Sequence, residues 1–308
     1  MADVTTSSQL QRLLDKRLRE VADFDKLYKD LNPMIPTLFR MLDSDAAFEE
    51  FYSVGSLPDH QRFTGKIPFV NRNPGYHIKI EPYEYALGRQ LERKFLDDKK
   101  YGVFDDEAVS LINSAGRTME KEAAGVFTGA FSTAFQYQNN EEGIALCGSH
   151  KTKSGTSTAS GFSNSGTSAM NKTSVAATRI LMRQFRNDVS ERIEMSDNFA
   201  LIPPDALADA AYELVNTPKG MDSAEGNVNP QYKRYKVIPY ARLDDNDTNN
   251  WFMVNMDLMK KALVFISRIK PETRTQIDFH TLVTMISSYM RFAVGSTEWR
   301  FIYGMAVT

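Results

Sequence analysis

Two groupings of side chains in this sequence have residue types that can do chemistry. Cys147, the only cysteine, lies three residues before His150, and a thiolate with an imidazole base makes a nucleophilic pair. Such pairs are normally assembled from distant parts of a chain. Here both sit on one stretch, and the Ser/Thr/Gly tract beside them has no charged residue between Lys153 and Lys172. A tract of that composition does not hold reacting atoms to fractions of an ångström. No G-x-S-x-G elbow accompanies the pair, so Cys147 is expected to act as a small hydrophobe at a strand or loop end. The second grouping is Asp244, Asp245 and Asp247, which suggests calcium. From Asp245 the pattern lacks the glycine and glutamate of a calcium loop, so a polar turn between strands is expected. His60, His77, His150 and His280 are scattered without zinc spacing, and no phosphate-binding or dinucleotide glycine motif occurs. The sequence therefore assigns no catalytic, cofactor-binding or metal-binding residue.

The whole chain sets the class. Its 308 residues suffice for one large or two modest domains, and 42% hydrophobic with 25% charged residues is ordinary for a soluble globular protein. A net charge of -2 provides no general basic field for nucleic acid or anionic membrane. One cysteine forms no internal disulfide, the first residues lack the order of a secretory signal, and no run approaches the ~20 apolar residues of a membrane span. These point to a soluble protein kept in a reducing cytoplasm.

Apolar residues at threes and fours predict an amphipathic helix over 9–31, ended by Asn32-Pro33, and a second helical stretch over 36–52. Residues 61–82 change character. β-prone pieces at 67–70 and 76–80 flank Asn71-Arg72-Asn73-Pro74-Gly75 and predict an extended hairpin, which Pro68 and Pro82 place at an edge. Its apolar residues are too few for a core of their own, so it must rest on this chain's body or on another copy. The longest helix is expected over 105–136, with Asp105 as cap and a stripe from Leu111 to Ala134. Gly116, Gly125 and Gly129 lie inside it, either for close packing of a strand or so that the helix can bend. Beyond the Ser/Thr/Gly tract come a helix at 174–187, a strand at 199–202 and a helix starting at Pro204. Three β-prone segments at 235–243, 251–255 and 262–269 follow, and then two long strands that reverse near Gly295-Ser296-Thr297.

This order of elements resembles the Hong Kong-97 capsid fold of tailed-phage major capsid proteins, shared with encapsulin shells, and looks closest to the Mu-like major head subunits. The resemblance is carried by YALGRQLERKFLDDKKYGVFDD (85–106), LIPPDALADAAYELVNT (201–217), YKVIPYARLDDNDTNNWFMV (235–254) and SYMRFAVGSTEWRFIYGM (288–305), and covers roughly residue 63 to the C-terminus.

The resemblance implies an α+β fold with an N-terminal helical arm (1–60), an E-loop hairpin (61–84) laid over the neighbouring subunit, and a peripheral domain (85–148) with its spine helix at 105–136. It further implies an axial domain (149–271) whose loops meet at hexamer and pentamer centres, and C-terminal strands (272–308) that complete the peripheral domain. The implied function is structural, not enzymatic: a shell subunit that self-assembles into hexamers and pentamers of an icosahedral head around double-stranded DNA. Expected partners are further copies of the chain, portal, scaffold and decoration proteins, and DNA bound without sequence specificity, with no membrane and no cofactor. Assembly is expected in the host bacterial cytoplasm and residence in the virion. Leu14, Leu18, Lys66, Ile67, Phe69, Tyr76, Ile78 and Lys79 are the expected assembly contacts, and Gly116, Gly125 and Gly129 the expected points of spine flexibility. Some family members crosslink a lysine to an asparagine; Lys66 and Lys79 lie in the hairpin, but nothing marks either as reactive. An encapsulin-like compartment of the same fold and a thiol hydrolase using Cys147 are the rival readings.

Overall fold

The computed structural model describes residues 16–307 apart from 19, 21, 32, 73, 99, 136, 154–160, 219–227, 279 and 282. Leu14, with Leu10, Leu13 and Val21 of the expected arm stripe, thus lies outside the described residues. Within the arm, helical residues 16–18 and 20 give way to a separate helix, α1 (Phe24–Asp30), instead of one continuous rod. Asp23 divides them, because its extended backbone and its side chain, which accepts from the Asp25 N–H at 3.1 Å, start a new helix. The second expected helix is also corrected. A single turn, α2 (Ile35–Leu38), is followed by strands β1 (Arg40–Asp43) and β2 (Glu49–Val54). Phe39 leaves α2 in an extended conformation, and β1 then finds a parallel partner that local periodicity cannot reveal.

Strands β3 (Pro74–Ile80) and β4 (Tyr83–Leu91) and the short helix α3 (Lys94–Asp97) lead to the long helix α4 (Tyr101–Thr128). At 28 residues α4 is about 42 Å long. It begins before the expected cap, since the fully buried Phe104 anchors a turn ahead of the acidic stretch. Asp105 instead lies inside the helix and accepts from Arg17 Nη2 at 2.7 Å. The helix also ends sooner. Gly129 is its C-terminal cap, its N–H donating to Gly125 O at 2.9 Å, so it is not an interior glycine.

The remaining elements are β5 (Gln138–Asn140), β6 (Ser165–Gly166), α5 (Lys172–Met182), β7 (Phe199–Ile202), α6 (Ala208–Asn216), β8 (Lys236–Val237), β9 (Trp251–Asn255), α7 (Met256–Ala262), β10 (Leu263–Ile277), β11 (Thr284–Ser296) and β12 (Ile302–Met305). Pro204 precedes a 3-10 turn that feeds α6, one position outside the expected start. The strands form three sheets in the orders β1-β10-β11-β4, β6-β12-β9-β7-β8 and β2-β3-β5. The expected closing pair is divided between two of them. β11 runs antiparallel between β10 and β4, while β12 pairs with β9 and β6. All four residues of β12 are buried, the mark of a central strand, and no reversal at Thr297 can pair it with β11.

Two cores meet at the second sheet. Phe199, Leu201, Trp251, Met253, Tyr303 and Met305 face α5 and α6, packing with Val175, Met182, Leu214 and Val215. The alternate residues Ala200, Ile202, Phe252, Val254 and Ile302 join the core around α4, with Phe127, and the inner face of the first sheet, with Phe265 and Phe292. The period-two alternation of the strands makes this double use unavoidable once both faces are covered. At the other end of α4, Leu111 and Ile112 pack with Leu18, Leu91 and Ile286. Gly116 lets the arm approach, for an added Cβ there would stand 2.9 Å from Leu31 Cδ1 and 3.2 Å from Tyr28 Cδ2. Its neighbour is therefore a helix, not the strand expected.

The arm is also held by Glu120, whose Oε1 accepts from the Tyr28 hydroxyl at 2.6 Å and from the Ile35 N–H at 3.3 Å. Burial raises the Glu120 pKa above its ordinary value, and these hydrogen bonds offset only part of the shift. The native state then holds a proton that the unfolded chain releases, so this group's contribution to stability falls as pH rises from the ordinary to the raised value. Glu120→Gln should remove that loss: in denaturant titrations across this range the wild type should weaken relative to the variant as pH rises. Parallel pH profiles for the two proteins would contradict this.

Candidate functional site

Cys147 and His150, close in sequence, form no nucleophilic pair in the fold. Cys147 is buried among α4, β12 and the residues after β5, its N–H bonded to Ala130 O at 2.7 Å, and burial pushes the thiol pKa well up. His150 is buried too, but its ring nitrogens lie 3.0 Å from Glu142 Oε2 and 3.2 Å from Leu146 O. It stacks on Trp299 with centroids 4.2 Å apart. A protonated thiol and an imidazole engaged elsewhere do not form a nucleophile and its base. Residues 154–160 of the Ser/Thr/Gly tract lie outside the described residues. Residues 161–170 are not a loose lid, because the buried Asn164 clips them to the body. Its Nδ2 donates to Leu146 O at 2.8 Å and Ile302 O at 3.2 Å, and its Oδ1 accepts from Gly148 N at 2.8 Å. Sequence reasoning passed over Asn164, since a lone asparagine in a Ser/Thr/Gly tract carries no visible sign of being a hub.

The aspartate run has a structural use. Asp244 accepts from the backbone N–H of Asp205 at 2.7 Å and of Ala206 at 3.2 Å, which fixes the turn into α6. No group of three or more metal-ligating side chains occurs among the described residues. A cleft of about 490 Å³ lies between β3, the end of α4 and residues 296–300, but its polar groups are tied to one another. Arg300, for example, bonds both Asp188, at 3.0 Å, and Glu298, at 2.8 Å.

What remains is a surface. β2 and β3 form an antiparallel ladder from Glu49↔Ile80 to Val54↔Pro74, so the hairpin is longer than expected and its outgoing strand is β2, not 67–70. Pro68 has no N–H to give to a ladder, whereas the alternating Phe51 and Tyr52 have one each. The base is firmly seated. Ile80 lies fully buried under Gly295, where an added Cβ would come within 2.7 Å of Ile80 Cδ1. Gln138 Oε1 accepts from Ser296 N at 2.9 Å. Above that base, residues 59–72 are all exposed, and no backbone hydrogen bond is formed by 55–72 among the described residues. Phe63, Ile67, Phe69 and Val70 stand out in solvent, Phe69 at 93% exposure, beside Arg62, Lys66 and Arg72 with no acidic residue between 60 and 72. The first sheet ends in a second unfinished feature. No strand lies beyond β4 among the described residues, and Tyr83 and Leu87 are exposed along that nine-residue edge. Long open edges of this kind invite pairing with another chain.

The structure thus brings Lys66, Ile67 and Phe69 together on one projection. Tyr76 is half-buried at its base, and Lys79 is partly exposed, its ammonium 4.2 Å over the Phe48 ring. Leu18 and Ile78 are placed otherwise than expected, since both are buried in this chain's own core and neither is free to meet a neighbour.

The mixed α+β body with one long helix resembles solved phage capsid protein structures in fold. The chain belongs to the phage capsid protein family, whose model matches residues 78–304. Solved structures agree in fold. The capsid of an empty GTA particle is 13% identical with a TM-score of 0.57, covering 89% of each chain. The mature capsid of bacteriophage PhiM1 is 11% identical with a TM-score of 0.56, covering 90% of this chain and 87% of that one. The bacteriophage JBD30 capsid is 14% identical with a TM-score of 0.54, covering 68% and 90%. No curated protein matches the chain. This family supports a structural role in place of an enzymatic one.

The packing role of Cys147 is testable. A Cβ at Gly304 would lie 2.7 Å from Cys147 Sγ and 2.8 Å from Phe131 Cζ, so Gly304→Ala should cost about 1–3 kcal/mol. Cys147→Ala opens part of that space, and urea titrations should give the double variant a smaller loss than the sum of the single ones. Strict additivity would remove the thiol as the obstacle.

Proposed function

We propose that this chain is a major capsid subunit that assembles through hexamers and pentamers into an icosahedral shell around double-stranded DNA. The carrying observation is residues 55–72, which expose apolar and basic side chains and unpaired backbone on a body whose core is otherwise complete. Such an excursion has little reason to exist in a monomer, since apolar surface out in water is a cost that a partner removes. In this reading the hairpin is the E-loop and lies over a neighbouring subunit. The first sheet with α4 is the peripheral domain, and the second sheet with α5 and α6 is the axial domain, which takes in β12 as well. Portal, scaffold and decoration proteins are the further partners, assembly occurs in the host cytoplasm, and the Mu-like affinity rests on the four segments quoted above.

Replacement of residues 60–72 by a short Gly/Ser turn should leave a folded subunit, since these residues touch no core, and should abolish shells by light scattering and negative-stain microscopy. Leu87→Asp, on the open β4 edge and 53% exposed, should weaken assembly with an unchanged unfolding midpoint. Normal shells from the hairpin variant would defeat the proposal.

Bending of α4 during shell expansion is tested best at Gly125. An added methyl there meets only Phe135 at 3.5 Å, an ordinary contact. Gly125→Ala should therefore stabilise the subunit by about 1 kcal/mol and slow expansion. Unaltered expansion of a stabilised subunit would show that Gly125 serves no hinge.

A further inference from the structure

Away from the hairpin, four guanidiniums gather at one corner of the second sheet. Arg179 and Arg183 lie four residues apart, one helical turn, at the end of α5. Arg192 Nε donates to Arg183 O at 2.6 Å, which brings a third. Arg183 Nη2 lies 2.7 Å and Arg234 Nη2 3.5 Å from the two oxygens of Asp197, which brings the fourth. Arg179 and Arg234 both lie close enough to the Tyr235 phenol to act on it, which ties Arg179 to the same corner. Asp197 is the one carboxylate in ion pairs with them among the described residues, and it serves two of the four. Arg179 has no ion pair there at all.

The second observation is independent of charge counting. Arg179 Nε and Arg183 Nε are buried without a hydrogen-bond partner among the described residues, and the Tyr235 hydroxyl beside them is likewise left without one of ordinary geometry. Buried donors of this kind are costly unless something accepts from them. Cations are favoured at the carbonyl end of a helix, which accounts for arginine at 179 and 183 but leaves both Nε atoms unanswered. The corner stays reachable, with the Arg183 and Arg234 side chains 36% and 32% exposed.

We infer that Arg179, Arg183, Arg192 and Arg234 form a binding site for a phosphate group. Guanidinium forks match phosphate oxygens in geometry and stay charged at every working pH. A tetrahedral oxyanion accepts from several directions at once, as a corner with donors on three segments requires. A planar carboxylate is already in place as Asp197. The site goes beyond the shell reading and does not depend on it, because it lies on the single subunit. Its ligand is inorganic phosphate or a phosphodiester of nucleic acid, one chemistry from two sources.

The test uses the full chain, with inorganic phosphate titrated against chloride at constant ionic strength while the melting temperature is read. Saturating phosphate should raise Tm by about 2–4 °C in the wild type. Arg179→Gln should abolish that rise, and because Arg179 holds no ion pair the variant should fold; Arg183→Gln serves as a second variant. Binding of a short DNA duplex, followed as log K against log salt, separates the sources. A slope reduced by about one in Arg179→Gln assigns the site to a phosphodiester, and an unchanged slope with the Tm response lost assigns it to free phosphate; either supports the site. An equal Tm rise in the variant, or from chloride alone, would reveal mere screening and overturn it. No phosphate response in the wild type, with assembly broken by Arg179→Gln, would overturn it in favour of a neighbour's carboxylate. The phosphate response is read on the single subunit and holds whether or not the wild type forms shells.

Discussion

The structure depends on one requirement, that α4 bury its apolar residues against two sheets at once. Phe127 has no exposed surface, and its ring lies 5.6 Å from Phe252 of β9 and 6.1 Å from Tyr240, both edge-on. Removal of such a ring typically costs about 3–5 kcal/mol, enough to unseat a marginally stable domain. The upper half of the helix holds the first sheet and the arm through Leu111, Ile112 and Met119. Its polar side adds direction, since Glu122 Oε2 accepts from the Tyr137 hydroxyl at 2.9 Å while Glu120 holds Tyr28. Apolar burial gives α4 its adhesion, and these hydrogen bonds fix its rotation and slide.

The same requirement explains the crowding around β12. A strand central to the second sheet, with α4 beneath it, must take small residues where the next segment crosses. Gly304 is such a position, closed in by Cys147 and Phe131. Asn164 then joins the loop after Cys147, the tract before α5 and the chain entering β12, since its carbonyl accepts from Gly304 N at 2.9 Å. The stretch with the most apparent chemistry in the sequence is thus a structural seam, and its one thiol is a packing atom.

How much of this was legible follows from which forces are local. The amphipathic stripe of α4, the continuous apolar run of β7 and the buried face of α6 at Ala211, Leu214 and Val215 were readable, because period and composition report them directly. The ends of α4 were not, since Phe104 extends it through tertiary burial and the stripe continues into a chain that has already turned back at Gly129. Strands β1 and β2 were hidden under helical spacing, because their partners β10 and β3 lie at the far end of the chain in one case and beyond an irregular excursion in the other. Of the hairpin only the returning strand was foreseen, since its outgoing strand is β2 and β3 lies between β2 and β5 instead of at an edge. The separation of β11 from β12 depends on sheet order, which no local signal carries. The arginine corner left still less trace, for its four members come from α5, the segment before β7 and the approach to β8.

A core this complete sharpens the meaning of what stays outside it. Scattered exposed hydrophobic residues are normal on any protein and occur here too, but Phe63, Ile67, Phe69 and Val70 cluster in one excursion without backbone partners, and Tyr83 and Leu87 line one open sheet edge. The hairpin base is held by Ile80 and Gln138, so its direction is fixed while its tip is left unsatisfied. An unsatisfied tip on a rigid base has the geometry of a heterologous contact, in which one part of a subunit meets a different part of the next. Contacts of that kind close into rings when the rotation between copies allows it. On the function proposed above, shell formation is the continuation of folding between chains: the apolar and backbone groups that one copy cannot bury would find their partners on another.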